Sequence, residues 1–141
     1  MSTEENKAVV RRFIEEGING RRLEVLDEVF APDFVWHGGA FGEVEGLETF
    51  KQAIGPFFVA FPDLTVSLES LTAEDDRVAV RFTVEATHQG EFMGVAATGR
   101  RVTWTGHPLY RFDGGRVVEE WFFEDHVSLL RQLGGLPSPP G

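Results

Sequence analysis

The chain has 141 residues, of which 42% are hydrophobic and 26% charged, a length and balance that fit one soluble domain with its own core. Lys and Arg total 13 against 23 Asp and Glu, and the net charge of −10 argues against nucleic acid or an anionic membrane as the main partner. The absence of cysteine excludes disulfides, thiolate metal sites and cysteine nucleophiles. The start, MSTEENKAVV, is polar rather than signal-like, and no apolar run reaches membrane-spanning length, so a cytoplasmic protein is expected.

In chain order, helices come first. Ser2-x-x-Glu5 is a capping box, and Val9, Val10, Phe13, Ile14 and Ile18 follow at helical spacing until Asn19-Gly20. A short second helix is predicted from about Arg22 to Phe30, stopped by Ala31-Pro32-Asp33. Phe34 to His37 reads as a brief strand before a glycine-rich loop over 38–46. The third helix spans roughly Leu47 to Phe61 with a bend at Gly55-Pro56.

Four strand candidates follow: Leu64–Leu71, Arg77–His88, Arg101–Phe112 and Arg116–Asp125. Asp75-Asp76 and Asp113-Gly114-Gly115 serve as hairpin turns. In the second strand Val78, Val80, Phe82, Val84, Ala86 and His88 share one face. A terminal helix near Val127 to Leu133 precedes the tail 135–141, which is expected to be mobile. The expected class is α+β: a single domain over residues 1–134, with three N-terminal helices packed on a curled, mostly antiparallel sheet. A sheet wrapped around helices forms a cone that leaves a cavity where its apolar lining runs out.

Counting by twos along the last strand places Val117, Glu119, Trp121, Phe123 and Asp125 on one face. A carboxylate beside such rings is costly to ionise, which is how a buried acid becomes a proton-transfer group. Capping the following helix is the structural alternative for Asp125. His88 closes an apolar face and is a candidate to bind a substrate oxygen or relay a proton, or else to tie the strand end to the loop at 89–99. Trp36, His37, Phe57, Trp104 and Glu119 are further candidates for the cavity; Glu119 could instead pair with Arg100 or Arg101. His126 is expected to be solvated.

The chain resembles the SnoaL-like polyketide cyclases, often labelled ester cyclases, of the NTF2-like superfamily. The resemblance is carried by Ala60-Phe-Pro-Asp-Leu64, Thr87-His-Gln-Gly-Glu-Phe-Met-Gly94, Thr98-Gly-Arg-Arg-Val102, and Arg116-Val-Val-Glu-Glu-Trp121 with Asp125 and Leu130-Arg-Gln-Leu-Gly134. It implies an NTF2-like cone and an aspartate doing general acid/base work in an intramolecular aldol closure; the matching position is Asp125. A histidine that the family carries in the third long strand falls on Pro108. Strict alternation turns the adjacent His107 away from the cavity, but a bulge at the proline would bring it back, and His107 is a further candidate for substrate binding. The resemblance also implies a homodimer, and Val118, Phe122, Arg81, Thr83, Thr103 and Thr105 are expected on an outer sheet face suited to it.

The expected activity is therefore a cyclase or isomerase acting on a small hydrophobic carbonyl compound, with Asp125 and His88 as catalytic candidates and neither cofactor nor metal. His37, His88 and Asp125 match no compact metal motif. No Gly-x-Ser-x-Gly elbow and no phosphate or dinucleotide fingerprint is present. Tyr110, the single tyrosine, is not in the first helix, where the ketosteroid isomerases of this fold place theirs. A dehydratase using His88 and Asp125, and a non-catalytic carrier of a flat hydrophobic molecule, are the alternatives. A carboxylate deep in the pocket, facing a histidine or water, favours an enzyme; a wholly apolar floor favours a carrier.

Overall fold

Ser2 opens the first helix as the sequence predicts. Its hydroxyl accepts the Glu5 backbone N–H at 3.1 Å, and the Glu5 carboxylate accepts the Ser2 N–H at 3.4 Å. The computed structural model describes residues 2–140. Helix α1 (Thr3–Arg12) runs directly into a π-helical stretch, Phe13–Asn19, whose Phe13, Ile14 and Ile18 face the sheet. Asn19 closes it: its side-chain amide exchanges two hydrogen bonds of 2.8 Å with the backbone of Val66, one in each direction. Helix α2 (Glu24–Val29) is shorter than predicted, because Phe30 already belongs to strand β1 (Phe30–His37). A short strand β2 (Glu43–Glu45) lies within the expected glycine-rich loop, and α3 (Leu47–Ala60) carries Pro56 inside it.

The remaining strands are β3 (Thr65–Glu74), β4 (Arg77–Thr87), β5 (Arg101–Gly106), β6 (Leu109–Asp113) and β7 (Arg116–Trp121), followed by helix α4 (His126–Gln132). The sheet order is β2-β1-β7-β6-β4-β3, with β5 also paired to β4, and only the β1–β7 pair is parallel. The expected long strand from Arg101 to Phe112 is broken at His107-Pro108. Proline has no N–H for the ladder. Here its carbonyl accepts the Val80 N–H at 3.0 Å. One half of β4 pairs with β5 and the other with β6, and the sheet curls around the helices. The core is dense in rings: Phe13 meets Phe30 edge-on at 4.8 Å, and Phe34 meets Phe50 likewise at 4.9 Å. Among the described residues no helix is long and apolar enough to cross a membrane.

Candidate active site

A cavity lies between the helices and the concave sheet. Its walls come from the π-helical stretch (Phe13, Ile14, Ile18), α3 (Phe50, Ile54, Phe57, Phe58) and the inward faces of β3 and β4 (Val66, Phe82, Val84). Trp36 of β1, Tyr110 of β6 and Glu120 of β7 also line it, with Phe122 and Glu124 just beyond β7. The inward alternation of β4 is as predicted: Val78 through Ala86 on that face are buried, and so is His88.

The last strand is phased differently. Val117 points inward, but Phe112 pairs with Val117 and Arg111 with Glu119, so Val118 is an extra residue. A one-residue insertion moves every later side chain to the other face. Glu120, Phe122 and Glu124 therefore face the cavity, while Glu119, Trp121, Phe123 and Asp125 do not, contrary to the placement predicted for those four. Phe122 accordingly leaves the outer face on which it was expected. Phe123 is 70% exposed. Asp125 is exposed and caps α4, its carboxylate accepting the Ser128 N–H at 3.0 Å. Trp121 stacks on His37 on the outside of the sheet, and Glu119 there accepts from Arg111 at 2.9 Å and contacts His37 Nε2 at 2.6 Å, instead of pairing with Arg100 or Arg101. Glu43 takes the other His37 nitrogen at 2.8 Å, and these two carboxylates raise the His37 pKa. His37 thus serves the outer face rather than the cavity. His107 is exposed, its backbone N–H donating to the Phe123 carbonyl at 2.8 Å; the break at Pro108 does not return it to the inner face.

Two of the predicted wall residues, Trp36 and Phe57, do line the cavity. Trp104 sits behind the wall, buried, and His88 is buried at the end of β4. His88 Nδ1 accepts the Thr98 N–H at 3.2 Å and lies 3.0 Å from the Thr98 hydroxyl, so it fastens the loop at 89–99, and its Nε2 has no partner among the described residues. His88 and Asp125 are not brought together at the cavity.

The chemistry of the cavity resides in residues that the mis-phased strand concealed. Glu120 is 3% exposed, and its Oε1 has no hydrogen-bond partner among the described residues. Burial, reinforced by the negative charge of Glu124, pushes its pKa up to about 8, against the opposing pull of Tyr110 and Trp36. Tyr110 is raised well above its ordinary value by burial and by the charges of Glu120 and Glu124. Glu124 Oε1 accepts the Trp104 indole N–H at 2.7 Å and lies 3.1 Å from His126 Nε2. Instead of being solvated, the His126 ring is set among Phe41, Phe57, Phe92 and Phe122, with centroids 5.2–6.2 Å away. The one sequence signal for this set was Glu120-x-x-x-Glu124 flanking Phe122, two carboxylates sharing an alternate face once the bulge is known.

The fold agrees with that of known proteins. The family model for SnoaL-like polyketide cyclases matches residues 8–133. The chain belongs to the SnoaL-like polyketide cyclase family. Among SnoaL-like relatives, the aklanonic acid methyl ester cyclase DnrD of Streptomyces peucetius is 28% identical over 140 residues, covering 94% of each chain. The solved structure of AclR, a candidate hydroxylase from Streptomyces galilaeus, superposes with a TM-score of 0.87 at 40% identity, covering 99% of this chain and 91% of that one. IdmH, a candidate polyketide cyclase from Streptomyces antibioticus, gives 0.80 at 34% identity, covering 92% and 98%. The NTF2-like cone with helices on a curled sheet is thus common to this chain and its SnoaL-like neighbours.

Proposed function

We propose that the protein is a cyclase that needs no cofactor and closes a ring in a hydrophobic, polyketide-like carbonyl compound by intramolecular aldol chemistry. The observation that carries this reading is Glu120: a carboxyl buried in an otherwise largely aromatic cavity, beside Tyr110, with one oxygen unpartnered among the described residues. A carboxyl still protonated near neutral pH can hydrogen-bond a substrate carbonyl and hand its proton to the alkoxide as the carbon–carbon bond forms. The floor therefore contains two carboxylates, one contacting a histidine, which favours catalysis over simple carriage. Relatives named for aklanonic acid methyl ester cyclisation support a substrate of that class.

The cavity volume is about 90 Å³. In this reading a fused-ring substrate enters past the half-buried rings that line the cavity, Phe58 or Phe122. A second reading, hydroxylation of the same kind of ring system, is favoured by the 40% identity to AclR.

The test is incubation of the purified protein with aklanonic acid methyl ester and simpler polycyclic ketones, followed by separation and mass measurement. Cyclisation gives an isomer of unchanged mass, whereas hydroxylation, for which dioxygen and a two-electron donor are added to a parallel incubation, gives a product heavier by one oxygen atom. Glu120→Gln should lose on the order of 10²–10⁴-fold in turnover while still binding. Full activity in Glu120→Gln would remove Glu120 from the mechanism, and binding of these ketones without any product would favour a carrier.

A further inference from the structure

We propose that Glu124 is the base that removes the carbon-bound proton, with Trp104 and His126 as its positioning residues and Glu120 as a separate acid. This division of labour rests on the cyclase reading above. Glu124 lies three residues beyond the end of β7 yet is not loose. Its neighbours in sequence are fastened to the end of β5: the Asp125 N–H donates to the Thr105 carbonyl at 2.9 Å, and Phe123 accepts from the His107 N–H at 2.8 Å. Glu124 itself bridges to Gly106. A Cβ at Gly106 would lie 2.2 Å from the Phe82 ring and 3.0 Å from Glu124 Cγ, so the absence of a side chain there is what lets the Glu124 stem settle against β5.

The side chain is held as firmly. Trp104 Nε1 and His126 Nε2 both meet Oε1, at 2.7 and 3.1 Å. Oε2 makes no hydrogen bond among the described residues and is not sealed from solvent-sized contact, so it is the oxygen free to take a proton. The titratable side chains lining the cavity are Tyr110, Glu120 and Glu124. Of these, Glu124 alone has an oxygen held by both an indole N–H and an imidazole. Glu120 is more deeply buried, and its Oε1 has no hydrogen-bond partner among the described residues.

The step balances within the protein. Glu124 Oε2 takes the hydrogen from the carbon next to a ketone, and the C–H electron pair forms the enolate. The enolate carbon bonds the second carbonyl carbon, whose π pair moves to oxygen and takes the Glu120 proton. Glu124 is then protonated and Glu120 ionised. One proton passes back from Glu124 to Glu120, directly or through water, and the cycle is complete with no oxidant or reductant.

The experiment separates proton removal from ring closure. β-Tetralone, a bicyclic ketone that cannot cyclise, is incubated with protein in deuterium oxide, and exchange next to its carbonyl is followed by NMR. Wild type should exchange it. Glu124→Gln should lose on the order of 10²–10⁴-fold in exchange rate. Glu120→Gln, whose amide still donates to the ketone oxygen, should keep most of the exchange yet fail in cyclisation. His126→Gln should lower the exchange rate constant and leave the ketone's KM unchanged. In parallel, carbon-13 NMR of labelled Glu carboxyls should find the Glu120 midpoint lower in Glu124→Gln than in wild type, a readout independent of activity and of any merely structural role. Exchange at the wild-type rate by Glu124→Gln, or an equal loss in Glu120→Gln, would overturn the assignment while leaving the cyclase reading in place. A wild-type protein that neither exchanges β-tetralone nor cyclises any ketone would overturn the cyclase reading itself.

Discussion

Glu120 and Glu124 face one cavity from either side of Phe122, and the charge on Glu124 helps keep the Glu120 carboxyl protonated up to a pH of about 8. Burial and, after it, that neighbouring charge disfavour ionisation of Glu120.

That relationship has a cost in stability with a definite sign. The Glu120 pKa is raised on folding from 4.5 to about 8, so the folded state holds a proton that the unfolded state releases. Below pH 4.5 there is no penalty; between there and pH 8 stability falls with rising pH, and above it the penalty is constant. The whole shift corresponds to roughly 5 kcal/mol as an order of magnitude. Glu120→Gln should therefore gain several kcal/mol over wild type at pH 8 and little at pH 4.5, as read from urea unfolding at both. A gain that does not depend on pH would contradict the buried, protonated carboxyl.

His37 titrates in the other sense. Its pKa is raised by Glu119 and then Glu43, so the stability it contributes is complete below its ordinary value of 6.5 and is lost as pH rises through the folded value. The group is about one-quarter exposed, so at most about 1 kcal/mol is expected. The difference in unfolding free energy between wild type and His37→Gln should shrink from pH 6 toward pH 9, without change in ligand binding.

Asp125 separates helix capping from catalysis. Asp125→Asn keeps an acceptor for the Ser128 N–H and should leave both stability and turnover near wild type. Asp125→Ala should lose about 0.5–2 kcal/mol of stability. A hundredfold loss of turnover in Asp125→Asn would return this residue to the mechanism.

Access depends on the aromatic rings. Arg21 holds its guanidinium 4.6 Å from the centre of the Phe58 ring and donates to the carbonyls of Ile18, Pro62 and Leu64. Phe58→Ala should widen the cavity from about 90 Å³ and tighten binding of fused-ring ketones, measured by calorimetry. Unchanged binding would mean that ligands enter past Phe122 instead.

We also propose that the outer sheet face, with Trp121 beneath Arg77 and beside the exposed Phe123, joins two copies of the chain. Light scattering should give twice the monomer mass at tens of micromolar, and Trp121→Glu should give the monomer.

Most of the architecture could be read from the residues. The capping box at Ser2, the alternation of β4 and the turns after Glu74 and Asp113 are local signals, and each survives in the fold. The cavity's chemistry was less accessible. An alternating pattern gives the period of a strand but not its phase, and the phase of β7 is set by the extra residue at Val118, which reflects pairing with β6. His126 was hidden for a similar reason: of its aromatic neighbours only Phe122 is near in sequence, while Phe41, Phe57 and Phe92 come from 3-10, α-helical and loop segments far away in the chain. The break at Pro108 showed as proline in an otherwise regular strand, yet its effect on His107 needed the β5–β7 neighbourhood.

The parallel pairing of β1 with β7 has a consequence for biosynthesis. His37 and Glu119, which meet across that pair, are 82 residues apart in sequence. On a ribosome, α1 to α3 and β1 emerge long before the strand that bears Glu120, so β1 has only the short β2 to pair with until β7 follows. A nascent chain paused before Arg116 would leave the other edge of β1 unpaired beside its aromatic rings, so chaperone protection matters most before β7 is made.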